Sequence, residues 1–380
     1  MVSFFNTRRT RSKGNHRGNI SFEKSITPPL PYGRGLRGER IMNPFTASKI
    51  LCHPLEIYDL INNKVVHPIL YEFDLTNKCN HRCPKCKGWS GEKNKDELSI
   101  DLIYDLISQI TKFGGKAITY TGGGEPTLHP HFVDAVKFAR MNNIQIGLMT
   151  NGSMINKELA EFLVKNCEWI RVSLDAWNGK SFKRTHGMNT KEFKKVCSGI
   201  KFLSLAKKEF ITSCTIGVGF LTDSHTSKGM INASKLVRSL GADYIQFRPF
   251  HYDYTPVLDK IEECKKLENE NFKILFKKDK YLQIENGVYQ RQYNKCYALN
   301  FIGIIAANSK MYPCCHLKGI DKYEYGDLRK NSIQEILSSK RKKDVDKEID
   351  FRDCPPLCKL DHYNKILYNI TNQPTHVNFL

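Results

Sequence analysis

Short apolar strands alternate with amphipathic helices along most of this 380-residue chain, and that alternation constrains the fold most strongly. The alternation predicts parallel strands joined by helical crossovers, as in a βα barrel or an open sheet. We therefore predict an α/β fold built as a partial (β/α)6 barrel of the TIM type. The six predicted strands cover residues 69–75, 117–120, 144–149, 169–174, 211–220 and 243–248.

Distinctive polar motifs follow the ends of these predicted strands. Three cysteines follow the first strand, a Gly-Gly-Glu turn follows the second, and Thr-Asn-Gly follows the third. In βα barrels the carboxyl ends of the strands form the active face. The motifs are therefore expected to meet at one mouth of the barrel.

The spacing of the first cysteines indicates a metal cluster. The chain has 13 cysteines, an odd number, and no secretory signal, which favours metal ligation over disulfides. Cys79, Cys83 and Cys86 have the spacing C-x3-C-x2-C. Thiolates ligate iron–sulfur clusters, and three ligands leave one iron of a 4Fe–4S cluster open to a substrate or cofactor. A zinc site completed by His81 is the alternative, although structural zinc sites normally take four well-spaced ligands.

This cysteine spacing resembles that of the radical S-adenosylmethionine (SAM) superfamily. The resemblance implies that the three cysteines are catalytic and hold a 4Fe–4S cluster whose open iron binds SAM. Reductive cleavage of SAM would then give a 5′-deoxyadenosyl radical that abstracts hydrogen from a carbon atom. An electron donor of the flavodoxin or ferredoxin type is the implied partner. The chain departs from the usual pattern at Lys85, where many members have an aromatic or other apolar residue.

Further motifs resemble cofactor-binding elements of the same superfamily. The resemblance implies that the glycine turn holds the methionine amine, that Ser173 and Asp175 bind ribose, and that two glycines of the fifth strand leave room for adenine. Arg184 is expected to pair with the cofactor carboxylate, and Arg248 to contact the substrate or that carboxylate. Taken alone, these residues could also form tight turns, a helix N-cap, a barrel bulge and a rim salt bridge. The predicted cofactor-binding residues are Gly123, Gly124, Glu125, Pro126, Thr150, Asn151, Ser173, Asp175, Arg184, Gly217 and Gly219.

A second group of cysteines lies beyond the predicted barrel. A predicted hairpin brings two of them together, and a C-x3-C pair closes the region. Four thiolates can hold zinc or a second iron–sulfur cluster. The pattern resembles the SPASM and twitch extensions of radical SAM enzymes, and the twitch form with one auxiliary 4Fe–4S cluster fits better. Ser309 replaces a hairpin glycine usual in that family, and Cys315 is an alternative ligand to Cys314. The predicted auxiliary ligands are Cys296, Cys314, Cys354 and Cys358.

The resemblance implies an enzyme that removes hydrogen from a small sugar-like or aminocyclitol-like molecule, with a peptide as the alternative substrate. Dehydrogenation is expected if the auxiliary cluster accepts an electron. Epimerisation is expected if a thiol returns a hydrogen, and Cys315 and Cys214 are the candidate donors.

The charge distribution leaves one alternative from another class. The net charge is +20, and residues 1–41 hold nine Lys or Arg against two Glu. A metal-stabilised nucleic-acid-binding protein would use such a tail, but a solvated, unfolded extension explains it more simply. No apolar run reaches the length of a membrane span, so we expect a cytoplasmic enzyme without membrane contact. The predicted segments are a basic tail (1–41), an entry segment (42–70), the barrel (71–290) and a cluster domain (291–380).

Overall fold

The computed structural model describes residues 46–86, 95–250, 253–287, 289, 291–356, 358–373 and 375–379. The predicted basic tail, 1–41, lies outside these residues. None of the described helices is long and apolar enough to cross a membrane.

Ten strands of the described chain form one sheet. They are β1 (Leu70–Asp74), β2 (Ala117–Thr121), β3 (Gln145–Thr150), β4 (Trp169–Ser173), β5 (Thr215–Thr222), β6 (Tyr244–Pro249), β7 (Lys273–Leu275), β8 (Ile302–Ile305), β9 (Lys310–Tyr312) and β10 (Gly326–Asp327). The strand order is β10-β9-β8-β1-β2-β3-β4-β5-β6-β7. Strands β8 and β1 to β7 run parallel, whereas β9 and β10 are antiparallel to their neighbours.

Helices connect the parallel strands and cover the outer face of the sheet. They are α1 (Pro54–Ile61), α2 (Ile100–Lys112), α3 (Phe132–Met141), α4 (Lys157–Asn166), α5 (Gly179–His186), α6 (Thr190–Glu209), α7 (Met230–Ser239), α8 (Leu258–Lys265), α9 (Lys278–Glu285), α10 (Ile333–Ser338), α11 (Lys340–Glu348) and α12 (Asp361–Thr371). Local signals fix several helix starts: the side chains of Ser99, Asn156 and Asn189 each accept a backbone N–H of the first turn. The predicted partial barrel with a small C-terminal iron–sulfur domain is confirmed.

The structure adds features that the sequence did not predict. Strand β7 has only three residues, too few for a period-two pattern. Helix α5 is mostly polar, and a capping box between Asn178 and Ser181 starts it. The predicted hairpin exists as β8 and β9, but β8 also pairs in parallel with β1, so the sheet of the barrel continues into the C-terminal region.

Alternate residues of the strands separate an apolar outer face from a polar interior. Tyr71 and Phe73 of β1 are fully buried in the hydrophobic core, and the Tyr71 ring lies near Ile110 of α2. Their neighbours on β1 point to the opposite face, since side chains alternate along a strand. The buried polar side chains on this inner face include Glu72, Asp74, Thr119, Arg171 and Gln246.

Candidate functional site

The cysteine loop (residues 77–86) follows β1 and packs against the glycine turn after β2. The backbone N–H of Gly124 donates to the carbonyl of Thr76 at 3.0 Å, and that of Glu125 donates to the carbonyl of Lys78 at 2.9 Å. A Cβ atom at Gly124 would lie 2.1 Å from the carbonyl oxygen of Lys78. Glycine is therefore required here because the two backbones approach so closely.

This close approach predicts the effect of Gly124→Ala. The added methyl group would push the cysteine loop away, so we expect the variant to bind about four irons per chain after anaerobic reconstitution instead of about eight. Gly114→Ala is the matched control. Gly114 has a left-handed φ of +85°, so an alanine there is strained, but its Cβ would meet open space and would push no neighbouring loop away. Iron analysis and 5′-deoxyadenosine formation measure the outcome. A full iron content in Gly124→Ala would show that the contact is dispensable.

Glu125 connects the glycine turn to the end of β3. Its buried carboxylate accepts the hydroxyl of Thr150 at 2.6 Å and the backbone N–H of Asn151 at 2.6 Å. Burial raises the pKa of Glu125, and these hydrogen bonds oppose the rise. Asn151 in turn donates to Asn80 of the cysteine loop at 2.7 Å, and its Nδ2 lies 4.0 Å from the Sγ of Cys79. Predicted residues from three strand ends therefore meet at one mouth, where Glu125 acts as a positioning residue.

Lys85 extends the cysteine loop across the mouth. Its Nζ lies 2.8 Å from the Oδ2 of Asp223, just beyond β5. The same ammonium lies 4.6 Å from the ring centroid of Phe250, just beyond β6. At this position, where an apolar residue is usual, the chain therefore has a cation that links the loop to the far side of the barrel.

Asp175 follows β4 and faces the mouth. Its Oδ1 accepts the backbone N–H of Leu221 at 2.6 Å. Burial raises the pKa of Asp175 to about 6, while that hydrogen bond and the charge of Arg248 lower it. Ser173 pairs with Gly219 in the β4–β5 ladder and lies on the same face of β4. The expected ribose-binding pair thus lies side by side at the strand end.

Arg184 lies in the last turn of α5, beyond Asp175. Burial lowers the pKa of His225, and the charge of Arg184 lowers it further, so Arg184 points towards the loop after β5. Its pairing with a cofactor carboxylate stays a prediction.

The two glycines of β5 have a different environment from the one expected. A Cβ at Gly217 would lie 1.9 Å from the Cζ of Tyr244, so the tyrosine ring covers that glycine. A Cβ at Gly219 would lie 2.9 Å from the Nη2 of Arg248 and 3.4 Å from the Cδ of Arg171. The space that we expected adenine to take is therefore filled by side chains of this chain. The adenine-facing role of both glycines stays a prediction.

His186 at the end of α5 supports the cysteine loop and packs against the buried His81 of that loop. The Nδ1 of His186 lies 3.6 Å from the Sγ of Cys83, and the backbone N–H of Arg82 donates to the carbonyl of His186. Burial, reinforced by His81, lowers the pKa of His186 to about 3, so its imidazole is neutral. His81, Cys83 and His186 lie close enough to hold a metal ion, but this described group offers only three ligands to zinc. The role of His186 could not be predicted from the sequence, because its partners lie about a hundred positions away.

The thiols of the cysteine loop fit a cationic cluster. Burial raises the pKa of Cys83 to about 12, and the charges of Cys86 and Cys79 raise it further. Burial also raises the pKa of Cys79, with Glu125 and Cys86 adding to the rise. Thiolates that repel one another in a buried place need a positive partner, and the iron of a cluster supplies it. The loop therefore suits the 4Fe–4S cluster expected from its spacing.

Mutual electrostatic effects indicate that the four predicted auxiliary cysteines lie near one another. Burial raises the pKa of Cys296 to about 12, with further increases from the charges of Cys358 and Cys354. The charges of Cys296 and Cys358 likewise raise the pKa of Cys314 after burial. The side chain of Asn364 donates to the Sγ of Cys296 at 3.4 Å, and the backbone N–H of Leu360 donates to the Sγ of Cys358 at 3.4 Å. Such hydrogen bonds to sulfur are typical of iron–sulfur sites, and the set fits a second cluster.

Cys315 lies near charged groups of the barrel as well as near the auxiliary thiols. The ammonium of Lys359 hydrogen-bonds both the Cys315 thiol and the carboxylate of Glu72 in β1. The position of Cys315 near Glu72 therefore favours Cys314 as the cluster ligand. Cys214, the other candidate hydrogen donor, is buried at the amino end of β5, opposite the mouth. That expectation is wrong, since βα barrels react at the carboxyl ends of their strands.

Two family profiles match the chain. The profile "Radical SAM superfamily" matches residues 73–228, and "Iron-sulfur cluster-binding domain" of the SPASM type matches residues 296–361. Their matched ranges contain the cysteine loop and all four predicted auxiliary ligands. The loop and the C-terminal thiols that the geometry groups separately therefore correspond to two distinct family domains.

Proteins similar to this chain are consistent with both profiles. A tungsten-containing aldehyde ferredoxin oxidoreductase cofactor-modifying protein of Pyrococcus furiosus is 23% identical over 298 residues, which cover 70% of this chain and 80% of that protein. Mycofactocin maturase MftC of Mycobacterium ulcerans is 34% identical over 109 residues, 28% of this chain and 29% of that protein. The crystal structure of Streptococcus suis SuiB bound to SAM has the same fold, with a TM-score of 0.62 at 12% identity over 86% of this chain and 80% of that one. The chain belongs to the radical SAM superfamily: it is an enzyme with SAM, a 4Fe–4S cluster and an auxiliary iron–sulfur cluster as cofactors.

Proposed function

We propose that this enzyme modifies a peptide by abstracting hydrogen from a carbon atom of one of its residues. The comparisons support a peptide better than the sugar-like substrate that we expected from the sequence. SuiB has been solved with its precursor peptide SuiA, at a TM-score of 0.61 and 13% identity over 90% of this chain and 81% of that one. The peptide alternative thereby becomes the preferred substrate class.

The observation that carries this proposal is the open form of the polar barrel. Strands β7 and β10 end the sheet, and no ladder joins them within the described residues. The strands therefore do not close the barrel by backbone hydrogen bonds, and an extended chain could lie along this open side. Unpaired backbone groups at sheet edges are also the usual means by which proteins bind extended peptides.

The site residues have distinct parts in this reaction. When bound, SAM and its cluster supply hydrogen abstraction, and an auxiliary cluster supplies one-electron chemistry. Gly124, Glu125 and Lys85 hold the cysteine loop over the mouth. We assign the ribose-binding role to Ser173 and Asp175, whose carboxylate also accepts the Leu221 N–H.

Oxidation is the favoured outcome because the two cysteine regions adjoin neighbouring strands of the sheet. The cysteine loop extends from β1, and β8, which pairs with β1, begins six residues after Cys296. A substrate on the inner face of β1 would therefore lie between the cysteine loop and the C-terminal thiols. The net reaction would remove two hydrogens from the peptide.

Epimerisation is the second candidate, and the position of Cys315 beside Glu72 of β1 favours it. A thiol on the lumen side could return a hydrogen atom to the face opposite abstraction. Reaction in deuterated water separates the two outcomes. One solvent deuterium at carbon indicates epimerisation, whereas a product lighter by two mass units indicates oxidation.

The substrate class can be tested before the natural peptide is known. Reconstituted enzyme is incubated anaerobically with SAM, dithionite and either a perdeuterated peptide pool or a perdeuterated sugar pool. We expect 5′-deoxyadenosine one mass unit heavier with peptides only, because the abstracted atom ends up in that product. A heavier product from sugars, or from neither pool, would contradict the proposal.

A further inference from the structure

Arg171 and Arg248 place two guanidinium groups next to each other inside the barrel. Arg171 lies on β4 and Arg248 on β6, and both side chains converge over Gly219 of the strand between them. In the register, Arg171 lies two residues before the level of Gly219, and Arg248 lies two residues beyond it. Neither Arg171 nor the way the two side chains converge was evident in the sequence.

The described residues leave this pair without a matching anion. Arg171, only 8% exposed, donates to the Oε1 of Gln246 at 2.9 Å and to the Sδ of Met149 at 3.0 Å, both neutral groups. The buried Nε of Arg248 has no hydrogen-bond partner. Among the described residues, no carboxylate lies within ion-pair distance of either guanidinium.

The nearest carboxylates are already engaged. Glu72 pairs with Lys359. Asp175 accepts the N–H of Leu221, and although burial raises its pKa to about 6, it is still largely ionised at neutral pH. The arginines also disfavour each other: burial, and then Arg248, lowers the pKa of Arg171 to about 9. Burial lowers the pKa of Arg248, and the charge of Asp175 opposes that shift without forming an ion pair. Two buried like charges without a directly bonded counter-ion are unfavourable, so this arrangement favours an anion from outside the chain.

We propose that Arg171 and Arg248 form a binding site for a carboxylate group of the substrate. Planar guanidinium groups match a carboxylate through paired N–H donors, and a partly desolvated pair of them binds it strongly. The site lies on the same inner face as Ser173 and beside Asp175, so the carboxylate would fix the substrate just below the mouth. For a peptide this group is an acidic side chain or the C-terminus; the inference rests on the proposed function for that assignment alone.

The test uses binding rather than turnover, so its failure is distinct from failure of the proposed function. The reconstituted holoenzyme is saturated with SAM, and its melting temperature is measured with malonate or inorganic phosphate at constant ionic strength. We expect malonate to raise the melting temperature of the wild type by about 3 °C. The rise should be lost in Arg171→Gln and Arg248→Gln. It should persist in Arg140→Gln, whose arginine pairs with Glu168 at the surface.

Two further variants retain the charges in case the glutamine variants do not fold. Gly219→Ala places a Cβ 2.9 Å from the Nη2 of Arg248, so it should weaken the malonate effect by displacing the guanidinium. Arg248→Lys should weaken it because a lysine cannot make the paired contact. Equal malonate effects in the wild type and all variants, or none in the wild type, would overturn the inference.

Two other results would also overturn it. A tenfold loss of SAM affinity in Arg171→Gln and Arg248→Gln, measured by equilibrium dialysis, would assign the arginines to the cofactor carboxylate. A larger effect of phosphate than of malonate would assign the site to a phosphoryl group.

Discussion

Replacing Cys79, Cys83 and Cys86 together by alanine will abolish 5′-deoxyadenosine formation and leave a protein with about four irons per chain. The effect is expected to be complete because these thiols come from one loop, and the described residues provide no substitute ligand set beside it. The four C-terminal thiols lie beyond β7 along the chain, and two of them, Cys296 and Cys358, accept hydrogen bonds from that region, so the auxiliary cluster should still assemble. Iron analysis, the visible absorption of the cluster and product assay measure the three parts of this prediction.

The matched control is Cys52→Ala, which removes an exposed thiol outside both cysteine groups. It should keep about eight irons and wild-type product formation. Complementary replacement of Cys296, Cys314, Cys354 and Cys358 should remove the other four irons. If the triple variant loses all its iron, the two sites are not independent in assembly.

Replacing Lys318 by methionine will lower the free energy of unfolding by about 3–5 kcal/mol, because it leaves a buried carboxylate without its partner. Lys318 forms an ion pair with Asp74 at the end of β1, and their side chains are 8% and 1% exposed. Asp74 then keeps the backbone N–H of Gly123, at 3.1 Å, but its Oδ1 already lacks a hydrogen-bond partner among the described atoms. The loss should appear as a lower urea midpoint with an unchanged slope.

The double variant Lys318→Met with Asp74→Asn should recover part of this stability, since no buried charge then remains. Lys322→Met is the control in the same region. Its ion pair with Asp353 is exposed, so its removal should change the urea midpoint little. Equal destabilisation by Lys318→Met and the double variant would mean that the charge pairing contributes little.

The local motifs could be predicted from the sequence because their partners are close along the chain or recur at strand ends. The cysteine loop, the glycine turn with Glu125, and the Thr150–Asn151 turn meet as expected. The strands that carry these motifs alternate regularly with helices, so the succession of the strands along the chain could also be predicted. The parallel arrangement then follows from the crossover connections.

What could not be predicted depends on partners far apart in the chain. In the sequence, Arg171 is not distinguishable from any other arginine of a strand. Only the structure shows that it converges with Arg248 over Gly219 and makes no ion pair with a described residue. Lys318 and Lys359 follow cysteines in the C-terminal region, yet their carboxylates lie on β1. The glycines of β5 matched a family pattern, but the ring of Tyr244 and the two arginines cover them. Local sequence does not determine which side chain fills such a space.

The pairing of β1 with β8 has a consequence for how the protein is synthesised. Leu70 of β1 lies opposite Ile302, so one edge of the first barrel strand has no partner until a much later segment has left the ribosome. Contacts between such distant segments form slowly, and an uncovered strand edge can pair with other chains in the meantime. The nascent barrel is thus most prone to aggregate before β8, residues Ile302–Ile305, has been translated.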